Sequence, residues 1–354
     1  MRDSAPLAKK VLLVGWDAAD WLLINPLLEA GKMPNLQRLL GEGVQGNILS
    51  LQPMLSPILW TSIATGKRAY QHGIHGFVEP TPDGAGLRPS SSSSRKAKAL
   101  WNILSQSGLR CHVVGWFASH PAEAINGVCV SNQFAVAPSI QPKETWPVAP
   151  GSVEPAAEGE LMADLRVHPA EIPGDFLLPF IPDAAKLDQS RPVIAHLLTF
   201  LAKRLAECLT VHAVATDLME RKPWDFFSVY YEAIDQIGHE FMVFHPPKME
   251  HLPDEVFEVF RHVMNTVYEF HDQMLGRLIE LAGDDTHVLI VSDHGFLNGD
   301  RRPKEIVEAA NWHRAFGMFA ARGKGLRKGA QVHGATLLDI APTILTLFGL
   351  PVGK

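Results

Sequence analysis

Short runs of consecutive apolar residues alternate along this chain with stretches whose apolar positions recur every three or four residues. "KKVLLVGWDAAD" is one such run, bounded by a basic pair and by Gly and Asp. That is the pattern of a strand buried on both faces of a parallel sheet. "RCHVVGWFAS", "WDFFSVYYEAID", "THVLIVSDHGF" and "FGMFAARG" repeat it. Helical patterns lie between them. "SPILWTSIATG" opens on Ser-Pro and stops at Gly, and "MPNLQRLLGEGV" and "ALWNILSQSG" are similarly punctuated by Gly. "VIAHLLTFLAKRLAECLTVHAVATDLMERK" and "DEVFEVFRHVMNTVYEFHDQMLGRLIELAG" each predict one long amphipathic helix, and "LLDIAPTILTLFGLP" a closing helix. This alternation predicts an α/β fold, a three-layer α/β/α sandwich around a mostly parallel sheet.

One stretch breaks the rhythm. From Pro121 to Asp188 the text is irregular and rich in Pro, as in "APSIQPKETWPVAPGSVEPAAEG". Together with the long helix after it, residues 121–222 read as a cap inserted into a single domain spanning 1–354. Its aromatic residues Trp146, Phe176 and Phe180 suit either an apolar wall against a substrate or the cap's own small core. "PTPDGAGLRPSSSSSRK" reads as a surface loop.

Composition narrows the class. The 354 residues are 46% hydrophobic and 20% charged, and the mean hydropathy is +0.03, which is ordinary for a globular enzyme-sized domain. A net charge of -6 and a pI near 6.2 give no basic field, so general nucleic-acid binding is not expected. Cys111, Cys129 and Cys208 have neither metal-ligand nor disulfide spacing and fit a reducing compartment. The first apolar run ends at Gly15 and Asp17, too soon for a secretory leader, and no run approaches the ~18 apolar residues of a membrane span. The expected location is therefore the cytoplasm.

The chemistry sits where the strands end. "VLLVGWD" delivers Asp17, "FFSVYYEAID" delivers Asp235 with His239 four residues on, and "VLIVSD" delivers Asp293 and His294. His313 precedes the "GMFAARG" strand, and Ser56 stands where a helix begins. In a parallel sheet these carboxyl ends share one edge, where ligands bind. Taken singly, each has an ordinary reading. Asp17 suits a helix N-cap, Asp235 and His239 suit an exposed pair on one helix face, and Asp293–His294 suits a turn. Taken together, they supply oxygen and imidazole ligands for two divalent ions, Zn²⁺ first and Mn²⁺ as the alternative. Two such ions roughly 4 Å apart can clamp an in-line displacement at phosphorus. An Asp-x-x-x-His pair with a distant His makes one site; two Asp, one His and a serine alkoxide make the other. Ser56 would be the nucleophile, its phosphoryl partner facing free N–H groups of the helix start that Pro57 pre-sets.

The same motifs carry a family resemblance. "VGWDAAD", "SPILWTSIATGKRAYQHGIHGF", "AIDQIGH", "VSDHGF" and "HRAFGMFAARG…LLDIAPTILTLFGLP" run in order from residue 11 to 351. The chain resembles the alkaline phosphatase superfamily, in particular its type I phosphodiesterase/nucleotide pyrophosphatase branch. The resemblance implies a metal-dependent hydrolase of phosphodiester or pyrophosphate bonds, a small phosphate ester as substrate, and a covalent phosphoseryl intermediate on Ser56. It assigns Asp235, His239 and His313 to one metal, and Asp17, Ser56, Asp293 and His294 to the other. His333 in "VHGATLLD" competes with His313; the strand that follows His313 favours it, and His333 reads as a capping-turn residue at a helix start. His72, His75 and His245 read as structural. Nucleotide pyrophosphatases carry an Asn shortly after the nucleophile, whereas Ser56 is followed by Pro57, Ile58, Leu59 and Trp60. A sulfatase would need an Arg where Trp60 stands. Activity on phosphomonoesters, with Lys67 and Arg68 as added cations, or on phosphonates stays open, as does a catalytically inactive, metal-stabilised binding module.

Overall fold

The computed structural model describes residues 6–137, 146–303 and 308–353. β1 (Lys10–Trp16) is followed by α1 (Trp21–Glu29), α2 (Pro34–Glu42), β2 (Val44–Leu49), α3 (Ser56–Thr65) and α4 (Ala69–His72). A hairpin, β3 (Val78–Pro80) and β4 (Leu87–Pro89), leads to α5 (Leu100–Gln106), β5 (Cys111–Val114), β6 (Gly127–Val130) and β7 (Val153–Glu154). Then come α6 (Ala156–Met162), α7 (Gly174–Leu177), α8 (Pro192–Arg221), β8 (Phe226–Tyr231) and α9 (Ala233–Phe241). α10 (Asp254–Phe260), α11 (Val263–Ala282) and β9 (Thr286–Val291) follow. The ribbon β10 (Gly295–Phe296) and β11 (His313–Arg314), then β12 (Phe316–Arg322), β13 (Ala330–Thr336) and α12 (Ile340–Leu347), complete the order.

Nine strands form one sheet in the order β13-β2-β12-β9-β1-β8-β5-β6-β7. The five from β9 to β6 run parallel, β12 is antiparallel to both its neighbours, and β7 is antiparallel at the edge. This is the expected mostly parallel α/β sheet. Its centre explains the apolar runs. Val11 lies between Phe226 and His287, and every residue of β8 and β9 is buried. Successive side chains point to opposite faces. Leu12, Val14, Phe227, Val229, Val288 and Ile290 join the core under α8, α9 and α11; Val11, Leu13, Phe226 and Leu289 join the one under α3, α5 and α12.

Four expectations are refined. β2 went unanticipated because "VQGNIL" alternates buried with partly exposed positions and starts one residue after α2. β13 is a polar edge strand, so His333 lies exposed in a strand rather than at a helix start. The predicted helix over 254–282 is two, α10 and α11, although Arg261 and His262 keep right-handed helical backbone between them. The segment 121–222 contributes β6 and β7 to the sheet, and α8 packs Leu197, Leu201 and Leu205 into the core. Phe180 is buried against Phe176 and Phe270, and Trp146 packs on His168 and Arg166, so these aromatics fill local cores. Residues 138–145 of this segment lie outside the described residues. Among the described residues no helix is long and apolar enough to cross a membrane.

Candidate active site

The candidate residues meet at the carboxyl edge of the central strands. Asp17 follows β1 directly, and Asp293 and His294 follow β9 after Ser292. Asp235 sits in the first turn of α9 and His239 one turn later. His313 opens β11, paired opposite Phe296 of β10. Asp17 is not the cap of the next helix. Asp20 holds that role, its side chain accepting from the Leu22 N–H at 2.9 Å. Asp17 is thereby free to face the cluster, and Ala18 turns the chain there with a left-handed φ of 60°, which is rare for a residue with a Cβ.

Two triads result. Ligand atoms of Asp235, His239 and His313 lie within 4.8 Å of one another, and so do those of Asp17, Asp293 and His294. In the first, His239 Nε2 and His313 Nε2 are 3.3 and 3.5 Å from Asp235 Oδ1 and 3.2 Å from each other. In the second, His294 Nε2 is 3.4 Å from Asp17 Oδ1 and 3.6 Å from Asp293 Oδ2. The triads adjoin: His294 Nε2 is 3.9 Å from Asp235 Oδ1, and the rings of His294 and His313 stack at 3.8 Å.

Hydrogen bonds to the far sides of these groups fix which atoms converge. His313 Nδ1 donates to the Met54 carbonyl at 3.0 Å, and His294 Nδ1 to the Gly295 carbonyl at 3.0 Å. A neutral ring that donates through Nδ1 presents a lone pair at Nε2. Trp60 Nε1 donates to Asp17 Oδ2 at 3.0 Å and Tyr230 Oη donates to the same oxygen, leaving Oδ1 for the cluster. Ser56 heads α3, is 7% exposed, and lies between Met54, bonded to His313, and Trp60, bonded to Asp17. The chain on either side of the serine is thus tied to one member of each triad.

The electrostatics of the bare cluster are unfavourable. Burial, with repulsion from Asp235, pushes the Asp17 carboxyl up to about 6. Burial and the Asp17 charge raise Asp293 well above the carboxylate range. Burial also raises Asp235, but the adjacent imidazoles of His239 and His313 outweigh it and hold that carboxyl low. Burial and the neighbouring His313 push the His294 imidazole down to about 3, so it is neutral. The buried atoms without a hydrogen-bond partner among the described residues include four of this cluster: Asp17 Oδ1, Asp235 Oδ1, Asp293 Oδ2 and His294 Nε2. Orphaned buried polar atoms are rare and costly. All four point into the triads, and all are donors of the kind that divalent ions accept. The residues present therefore fit two such ions.

The second layer of residues escaped sequence reasoning. Trp60 and Tyr230 sit inside apolar patterns and read as core. Asp20, in "WDAAD", and Arg314, directly after His313, carried the only visible signal: a charge beside a candidate ligand.

The model of the type I phosphodiesterase / nucleotide pyrophosphatase family matches residues 11–341. The chain belongs to that family. By family it is a phosphoesterase-type hydrolase, and its fold is that of the alkaline phosphatase superfamily. Human ectonucleotide pyrophosphatase/phosphodiesterase 5 superposes with a TM-score of 0.54 at 14% identity, covering 98% of this chain and 96% of that one. BT1596, a 2-O GAG sulfatase, superposes at 0.59 with 11% identity over 99% of this chain and 72% of that one. Phosphonoacetate hydrolase from Sinorhizobium meliloti 1021 gives 0.47 at 16% identity over 85% of this chain, which spans 58% of its length. A search of curated protein sequences gives no match.

Proposed function

We propose that this protein of the type I phosphodiesterase family hydrolyses a phosphodiester or pyrophosphate bond of a small molecule through a covalent phosphoseryl intermediate on Ser56. The observation that carries the reading is the pair of adjoining triads, four of whose converging atoms are buried and orphaned, beside the chain segment that holds Ser56. Asp235, His239 and His313 would hold one divalent ion, and Asp17, Asp293 and His294 with Ser56 Oγ the other, zinc first and manganese as the alternative. Bound there, the ions would supply neutralisation of phosphoryl charge and a lowered hydroxyl pKa.

Ser56 Oγ attacks phosphorus; the new O–P bond forms as the bond to the leaving oxygen breaks, and the serine proton is lost to solvent. Water then cleaves the Ser56 O–P bond and returns the hydroxyl. In the first turn of α3, Pro57 has no N–H and those of Ile58 and Leu59 are bonded to the Leu55 carbonyl, so the Ser56 N–H is the backbone donor that would face a phosphoryl oxygen, and the burial of Asp17, Asp293 and His294 keeps bulk water from screening that side of the site. His313 and Asp17, held by the Met54 carbonyl and by Trp60 and Tyr230, keep their ligand atoms aimed inward without reorganisation. The three buried thiols suit a reducing compartment, and the cytoplasm is the proposed location.

Turnover of bis-p-nitrophenyl phosphate and p-nitrophenyl phosphate, measured with added Zn²⁺ or Mn²⁺ and after chelation, tests this. Metal-dependent hydrolysis with the diester preferred is expected. No metal-dependent turnover of any phosphate or phosphonate ester would defeat the proposal and favour the inactive binding module.

A further inference from the structure

We infer, resting on the reading of the triads as a two-metal centre, that Asp20 is a positioning residue: with Arg314 it forms a clamp that sets the spacing between the triads. Its side chain is fully buried. Oδ1 accepts from the Leu22 N–H at 2.9 Å and from Arg314 Nη2 at 3.1 Å. Oδ2 accepts from Arg314 Nε at 2.9 Å and from the Phe296 N–H at 3.2 Å. A helix N-cap requires only the first of these four bonds. The other three come from chain that is 276 and 294 residues away in sequence.

Each partner adjoins a ligand. Asp20 follows Asp17 by three residues, Phe296 follows His294 by two, and Arg314 follows His313 directly. One carboxylate therefore ties down the segments carrying Asp17 and His294 of one triad and His313 of the other. Gly295 completes the arrangement. A Cβ there would lie 2.2 Å from Asp20 Oδ2 and 2.4 Å from the Phe316 carbonyl, so the chain crosses the carboxylate where only glycine fits. The bidentate Arg–carboxylate geometry fixes direction as well as distance. Asp20 touches neither reacting atoms nor, in this reading, an ion; it acts through the ligands.

The test compares Asp20→Asn, which keeps shape and an acceptor for Leu22 but loses the charge, with the wild type. A second variant, Arg314→Gln, alters a side chain that is 19% exposed and keeps the test alive should Asp20→Asn fold poorly. Arg322→Gln breaks the Arg322–Glu42 ion pair, which is remote from the triads, and serves as the stability control. Metal-free protein is titrated with Mn²⁺, reading affinity and the exchange-coupled two-ion signal by electron paramagnetic resonance, and thermal melting is measured without metal. Both clamp variants should bind the manganese pair roughly 10- to 100-fold more weakly, with an altered coupling signal, while melting no lower than the control. Arg314→Lys should recover part of the loss. Wild-type affinity and coupling in both clamp variants would overturn the inference, and so would a loss that follows melting temperature as in the control. A wild-type protein that binds no manganese pair would remove the metal-centre reading, and the inference with it. A wild type that binds the pair yet hydrolyses no ester would defeat the proposed reaction while leaving the clamp standing on its own readout.

Discussion

The two carboxylate oxygens of Asp17 have different roles. Oδ2 is held by Trp60 and Tyr230, and Oδ1 is left without a partner, 3.4 Å from His294. Removing one holder should loosen this carboxylate without deleting it. Tyr230→Phe is expected to weaken binding of the second ion by roughly 10- to 100-fold, read by titration with Zn²⁺ against a competing chelator. Unchanged affinity would mean that Trp60 alone orients the carboxylate. Ser56→Ala is a different kind of change. It deletes the proposed nucleophile, so turnover should fall by roughly three orders of magnitude or more with both ions still bound. If phosphorylated protein can be trapped from wild type on rapid acid quench and not from Ser56→Ala, the covalent step is located. Activity within a few-fold of wild type would place the nucleophile elsewhere.

At the scale of elements, the site is steady because the helices beneath it are packed to the sheet by fully buried side chains. Leu205 of α8 and Leu275 of α11 are both 0% exposed and share one core with β8 and β9. Leu205→Ala should cost about 2–5 kcal/mol in chemical denaturation, whereas Val193→Ala on the same helix, at 64% exposure, should cost less than about 0.5 kcal/mol. Similar losses for both would show that α8 is not docked as described. The turn between Asp235 and His239 of α9 matters as well. Asp235 and His239 share a face only while α9 stays helical, so Gly238, whose added Cβ would crowd the Phe296 ring at 3.1 Å, is a place where packing and the geometry of the triad meet.

At the scale of the whole molecule, acid should unfold this protein before it protonates most carboxylates. Burial holds the imidazoles of His72, His112 and His271 down to about 4, against an ordinary value of 6.5. The unfolded chain takes up protons on these histidines below pH 6.5 while the folded protein stays neutral there until about pH 4. Their neutral burial therefore favours the folded state above pH 6.5, and that contribution is lost as the pH falls through the window to 4. His271, wholly enclosed by Trp16, Tyr231 and Phe270, should alone account for about 3 kcal/mol of it. Melting followed from pH 7 to 4 should decline steeply, and His271→Gln should flatten the slope; a flat wild-type profile would contradict the burial. The segment 121–222 belongs at this scale too. Replacing residues 123–182 with a short Gly/Ser linker removes β6 and β7 and uncovers Phe270, so no cooperative melt is expected. A folded deletion variant with altered ranking of leaving groups would instead mark the segment as a detachable specificity cap.

The sequence by itself determined the sheet's centre and the acidic and histidine residues that gather at its carboxyl edge. Strands buried on both faces must be continuously apolar, and an Asp or His at the end of such a run has no ordinary reason to recur, so β1, β8, β9 and Asp17, Asp235, His239, Asp293, His294 were legible from local pattern alone. His313 was separable from His333 only by the strand that follows it. The tertiary structure decided what local pattern cannot encode. It placed β2 and β13, whose one-sided burial leaves a polar text, and it folded part of an apparently irregular segment into the sheet as β6 and β7. It also decided what the clustered residues lean on. Trp60, Tyr230, Asp20 and Arg314 reach the site from positions that read as core aromatics or surface charges. Hydrogen-bond direction and burial exist only once distant segments meet, which is why the clustered Asp and His residues could be read from the chain and their supports could not.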